Sequence, residues 1–348
     1  MDGIDKKYEK AHLRHMAARE SELRTLYENA IHDIVVAFST IQYNGLTFYL
    51  KDYPLLLNRI NQQIQKLHAS IYATTLNAIQ ASWGLANEKN DLFVDKRLAG
   101  KIPSLKAHSV LYDSNRAALE AFVARKEQCL NLSGRIWNTL DGYKVEMEAA
   151  LGLGISEGKS AAHMATDLKK YLNEPDRLFR RVRGDDGKLK LSKAAKNYHP
   201  VQGQYRSSFL NAKRLTVTES NLAYQNSDHE RWAKIPFIIG VRVSTSNNHP
   251  LLDICDSMAG VYSKEFRFNS WHPFCRCHAV PIQISDAEYD KYEDALLAGT
   301  TPPEIKQIEG MPAKAKQWVR DNADRINGWA NTPYFVRNNP KFIKELLK

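Results

Sequence analysis

Apolar residues recur at three- and four-residue steps through the first third of the chain. Leu23, Leu26, Ala30, Ile34, Ala37 and Ile41 form one stripe within Ile4–Tyr43, a stretch without proline. This predicts a long amphipathic helix, stopped by Asn44-Gly45. After Pro54, the positions Leu57, Ile60, Ile64, Leu67, Ile71, Leu76 and Ile79 predict a second helix, antiparallel to the first and broken at Trp83-Gly84. The polar stretch Asn87–Ser109 predicts a connection with a short helix. A third helix is expected over Asn115–Cys129, capped by Ser114, with Cys129 as a buried thiol on its apolar side. Arg135–Leu153 continues helically. Gly158 suits a left-handed turn, Ser160 caps a helix from Ala161, and Pro175 ends it.

The period then changes. Tyr205–Lys234 predicts one more long helix, on which Glu219 falls among inward-facing positions. A carboxylate there needs a partner, and Arg214 and Thr218 are the candidates. Phe237, Ile239, Val241 and Val243 alternate along Phe237–Thr245 and predict a half-buried strand. Further extended elements are expected at Gly260–Tyr262 and His278–Ile284. Helix resumes to about Leu297, then short helices over Ile305–Ile326 and Pro333–Lys348. The fold class is α+β, mostly α-helical: long N-terminal helices, then a small domain with one long helix packed on a short β-sheet. The consecutive segments are a helical region 1–175, a basic linker 176–204, a core domain 205–285 and a helical tail 286–348.

Charge adds a polyanion-binding candidate. The net charge of +10 is concentrated in Asp176–Arg214, which carries net +8. Its bases include Arg177, Arg180, Arg181, Arg183, Lys188, Lys190, Lys193 and Lys196, around a Gly184-Asp185-Asp186-Gly187 turn. Such a run favours nucleic acid or an acidic protein surface; the alternative is a solvated linker. The start of the chain lacks the apolar run of a signal peptide, and no apolar segment spans a bilayer, so a cytoplasmic protein without membrane contact is expected.

Three of the four cysteines fall between His249 and His278. Cys255, Cys275 and Cys277 offer three thiolates for zinc, with His249, His272 or His278 as the fourth ligand. Two other fates are open. Asp253, His272 and Arg276 can form a polar lock over plainly packed thiols, or Cys255 can pair with Cys275 or Cys277 in a disulfide. On a strand Cys275 and Cys277 point to opposite faces, so both reach one metal only if the backbone turns there.

Leu215–Tyr224, Val241–Ser246, Asp253–Gly260 and His272–Cys277 (HPFCRC) together resemble the phage Mu F-like head-morphogenesis family. Thr218 and Glu219 match its Thr-Glu pair, and Asn221, Ala223 and Tyr224 match the continuation. Asp253, Cys255 and Gly260 match its turn. His272, Pro273, Cys275, Arg276 and Cys277 match its closing motif. Val217 stands where the family often has Arg, and Leu252 where many members have a first cysteine. The resemblance implies a non-enzymatic minor head protein of a tailed phage or prophage. Its place would be the head interior or portal vertex, and the host cytoplasm during assembly. The portal protein would be its partner, with packaged DNA, scaffold or major capsid protein as further contacts.

Two other functions compete. A zinc-dependent nuclease or toxin-like hydrolase would use His249, Asp253, His272 and Glu219 with the cysteine cluster, although the chain has no His-Glu-x-x-His, phosphate-binding loop or nucleophile elbow. A non-catalytic nucleic-acid-binding protein would use the basic segment alone.

Overall fold

The computed structural model describes residues 3–42, 48–99, 101, 105–156, 158–174, 181–183, 189–191, 207–246, 253–298 and 300–348. In chain order the helices are α1 (Gly3–Phe38), α2 (Pro54–Leu98), α3 (Leu105–Leu111), α4 (Arg116–Ala124), α5 (Leu132–Ser156), α6 (Ala161–Tyr171), α7 (Ser208–Lys234), α8 (Ile254–Met258), α9 (Asp286–Leu297), α10 (Ala313–Asp321), α11 (Ala323–Asn327), α12 (Tyr334–Arg337) and α13 (Pro340–Ile343). Strands β1 (Arg181–Arg183) and β2 (Leu189–Leu191) form an antiparallel pair. Strands β3 (Ile238–Ser244), β4 (Gly260–Ser263) and β5 (His278–Gln283) form an antiparallel sheet in the order β4-β3-β5. The fold is mostly helical α+β, as the periodicity predicts.

The chain divides into two compact units built from separated segments. The sheet unit comprises Met1–His15, Ile79–Phe122 and Thr218–Lys348; the helical unit comprises Met16–Ala78 and Val123–Val217. The pattern of the sequence instead suggests consecutive segments. Helices α1, α2 and α7 each contribute to both units, and a reading of composition along the chain has no signal for a division inside a helix.

In the helical unit, Leu23, Tyr27, Ile31 and Ile34 of α1 are buried, as are Ile60, Leu67 and Ile71 of α2. Ile136, Leu140, Tyr143 and Met147 of α5 complete this core. Ser160 caps α6 by accepting from the His163 amide, and Gly158 takes φ +66°, both as expected from turn chemistry. Glu146 is buried and accepts from the Ser208 amide at 2.7 Å. That amide is one of the orphan donors at the start of α7.

In the sheet unit, the core joins Trp232 of α7, Val241 and Val243 of β3, Tyr262 of β4 and the aromatic set Phe266, Phe268, Trp271 and Phe335. Strand β3 has an irregularity between Ile238 and Gly240, so Gly240 is buried and Ile239 only partly so. The alternation from Phe237 to Val243 is therefore interrupted once.

Helix α2 does not break at Trp83-Gly84 but continues to Leu98. Its buried positions there mix Trp83, Ala86, Phe93 and Val94 with Ser82, Asn87, Lys89 and Asn90, so polar side chains enter the buried face while the helix persists. Lys89 Nζ lies 2.5 Å from Asp228 of α7, and Asn90 donates to the other Asp228 oxygen at 2.8 Å. Arg231 reaches Asp91 at 2.7 Å and the Leu111 carbonyl at 2.6 Å. The third helix is also shorter than expected. Asn115, at φ +53°, precedes α4, and the Ser114 carbonyl accepts from Trp83 and Asn87 instead of capping the helix. Cys129 is exposed, not buried. It lies with Gln128 in a tight turn in which both residues have positive φ and Glu127 and Leu130 exchange backbone hydrogen bonds.

Candidate functional site

The cysteine cluster is assembled from two short segments of the sheet unit. The first is the start of α8. Asp253 accepts from the Cys255 amide at 2.6 Å, while Asp256 reaches back to the Asp253 amide at 2.9 Å. This reciprocal cap fixes a helix of a single turn and presents Cys255, 1% exposed, to the interior. Gly260, which starts β4, has φ +152°, and an added Cβ would come within 2.5 Å of Pro312. Both its conformation and its packing exclude a side chain.

The second segment is the loop ending in HPFCRC. Ser270 and Phe274 hold left-handed backbone, at φ +68° and +60°. Cys275 donates its amide to the His272 carbonyl at 3.1 Å. The chain is thus curled from 270 to 275, and β5 begins only at His278. Cys275 and Cys277 precede the strand, and both are buried. The alternation that would separate them on a strand does not apply.

His272, Cys255 and Cys275 bring their ligand atoms within 4.8 Å of one another. Cys255 Sγ is 3.2 Å from His272 Nε2 and 3.9 Å from Cys275 Sγ. All four cysteines of the chain are free thiols. His272 Nδ1 lies 2.7 Å from the Pro273 carbonyl, which can only accept. The proton therefore sits on Nδ1, and Nε2 turns its lone pair to the thiols. The Cys277 thiol lies outside this trio but interacts with both other sulfurs. Hydrogen bonds from Cys255 and Cys277, joined by the backbone amides of Trp271 and Cys277, hold the Cys275 thiol far below its ordinary range. Contacts with Cys275 and Cys277 push Cys255 up.

Helix α7 holds this loop through its polar face. Asn221 Nδ2 donates to the Cys275 carbonyl and to Ser270 Oγ, both at 2.9 Å. Its Oδ1 is 3.1 Å from His12 Nε2. Gln225 donates to the Cys277 carbonyl at 3.3 Å and accepts from Ser270 at 3.1 Å. Arg267 spans Asn226 and Glu230, the latter at 2.7 Å. Apart from Asn221, the sequence reading does not single out these side chains. Their only signal is the run of amides at one-turn spacing, Asn221 and Gln225, on a helix otherwise read for its apolar face.

The remaining candidates fall in different places. Asp253 Oδ2 is 3.4 Å from His272 Nε2, whereas Arg276 is exposed. His278 lies 3.2 Å from the Glu9 carboxylate and outside the cluster. His249 lies outside the described residues. Thr218 and Glu219 are buried in α7 and are not among the clustered ligands, and the Thr218 hydroxyl has no hydrogen-bond partner among the described residues, so it is not what satisfies Glu219. Of the basic segment, Arg177, Arg180, Lys188, Lys193 and Lys196 lie outside the described residues, and Arg181, Arg183 and Lys190 are described only as backbone of β1 and β2. No helix among the described residues is long and apolar enough to cross a membrane.

No family model, no curated protein and no solved structure matches the chain.

Proposed function

We propose that the chain is a minor head protein of a tailed phage or prophage, bound to the portal within the head, where it assists head assembly, DNA packaging or DNA delivery. One observation carries this reading: residues that bear the Mu F-like resemblance are coupled to one another in the sheet unit. Asn221, in the Thr-Glu helix, bonds the carbonyl of Cys275, in the HPFCRC segment. Cys255, from the Asp253–Gly260 turn, touches both His272 and Cys275. On this reading the motif is a device that closes a small domain. The basic segment Asp176–Arg214, with net +8, supplies the contact with packaged DNA or an acidic face of the portal, scaffold or major capsid protein.

The test is co-purification of the full chain with rings of the portal protein from the same phage. A stable complex, weakened when Arg177, Arg180, Arg181 and Arg183 are changed to Glu, is the expected result. Absence of any complex, together with metal-stimulated cutting of plasmid DNA by the purified chain, would replace the structural role with the nuclease.

A further inference from the structure

We propose that Cys255, Cys275 and Nε2 of His272, whose ligand atoms lie within 4.8 Å of one another, hold one zinc ion, and that the neighbouring buried Cys277 thiol closes it as a structural site. The proposal does not depend on the portal role.

Zinc–sulfur bonds of about 2.3 Å and zinc–nitrogen bonds of about 2.0 Å set the edges of a tetrahedral site at roughly 3.8 Å between sulfurs and roughly 3.5 Å from sulfur to nitrogen. The observed edges are 3.9 Å for Cys255 to Cys275 and 3.2 Å for Cys255 to His272. The spacing that matters is therefore His272-x2-Cys275, the usual separation of a zinc-binding half-site, with Cys255 as the distant ligand. Cys-x-Cys alone is a poorer match.

Two further features prepare the site. His272 gives its Nδ1 proton to the Pro273 carbonyl at 2.7 Å, the outer contact that orients a metal-binding imidazole. The carbonyls of Cys275 and Cys277 are held by Asn221 and Gln225, which fixes the loop from behind. The left-handed backbone at Ser270 and Phe274 costs about 1–2 kcal/mol per residue, a cost that metal bonds offset. Asp253 Oδ1 receives the Cys255 amide, and its Oδ2, 3.4 Å from His272 Nε2, lies outside the group of mutually close ligand atoms. With four protein ligands and buried sulfurs, no position is left for water, so the ion would be structural and not hydrolytic.

The full chain, produced under reducing conditions, should contain one zinc per molecule by elemental analysis. Replacing zinc with Co2+ should give the intense visible bands of a tetrahedral site with thiolate charge transfer. Cys277→Ser should lower the charge-transfer intensity by about a third while keeping tetrahedral bands, since three thiolates become two. Cys129→Ser should leave the spectrum unchanged. The wild-type cobalt titration stands even if Cys275→Ser fails to fold. Four freely titratable thiols after incubation with zinc, a Cys255–Cys275 disulfide in protein isolated anaerobically, or a cobalt spectrum unaltered by Cys277→Ser would overturn the assignment.

Discussion

Asn221 Nδ2 sits 2.9 Å from the carbonyl oxygen of Cys275, so the middle of α7 is tied directly to the loop that carries His272 and the two paired cysteines. The same side chain serves Ser270 and His12. One buried amide therefore links three parts of the sheet unit.

Replacing Asn221 by Leu leaves the Cys275 carbonyl and the Ser270 hydroxyl without this donor in a buried setting. A loss of about 1–3 kcal/mol follows, read as a lowered urea midpoint at unchanged slope. Asn221→Asp should also destabilise, because it keeps the acceptor facing His12 and loses both donated bonds. Wild-type stability in both variants would remove the amide from this role.

Lys89 and Asp228 form an ion pair that is almost completely buried. Lys89→Met leaves Asp228 without its cation and should cost about 3–5 kcal/mol, whereas removing both charges with Lys89→Met and Asp228→Leu should recover most of it. A thermal-melt double-mutant cycle measures the coupling. Equal losses in the single and double variants would show that the pair contributes through packing alone.

Burial raises the Glu146 pKa from 4.5 to about 8, with the Ser208 amide opposing the shift. The folded state thus holds a proton that the unfolded chain releases. On this group's account stability is highest below about pH 4.5 and falls as pH rises towards about 8. Glu146→Gln should flatten that decline and be more stable than wild type at pH 8. Parallel stability–pH curves for the two proteins would contradict this.

Cys129 is the exposed thiol, whereas Cys255, Cys275 and Cys277 are buried. A thiol reagent should modify one cysteine quickly in the native protein and the rest only on unfolding or metal removal. Cys129→Gly should also raise stability, by up to about 1 kcal/mol, since φ is +66° there. Modification of all four thiols at one rate would refute the assignment.

The elements most legible in the sequence are those whose buried faces are apolar. The stripe around Leu23 and Ile34, the strand through Val241 and Val243, and the cap at Ser160 all follow from local chemistry. Helix α2 beyond Trp83 follows that logic only in part, because beside Ala86, Phe93 and Val94 the polar Ser82, Lys89 and Asn90 face inward. Their partners, including Asp228 and Trp232, lie well over a hundred residues away, and no local pattern announces them. At the candidate site, the ligand types are visible in HPFCRC and DICDS. The curl that unites them is not, because Ser270 and Phe274 are not residues that advertise left-handed backbone. Cys129 is misread for a related reason: a helical period runs to its position, but Gln128 and Cys129 turn the chain without glycine.

The portal-associated role is tested most directly by the protein content of purified heads from the phage or prophage that encodes this chain. Quantitative mass spectrometry should find the chain inside nuclease-treated heads, in few copies and in fixed ratio to the portal protein. Heads that carry the portal but lack this chain, while it accumulates free in the lysate, would contradict the account.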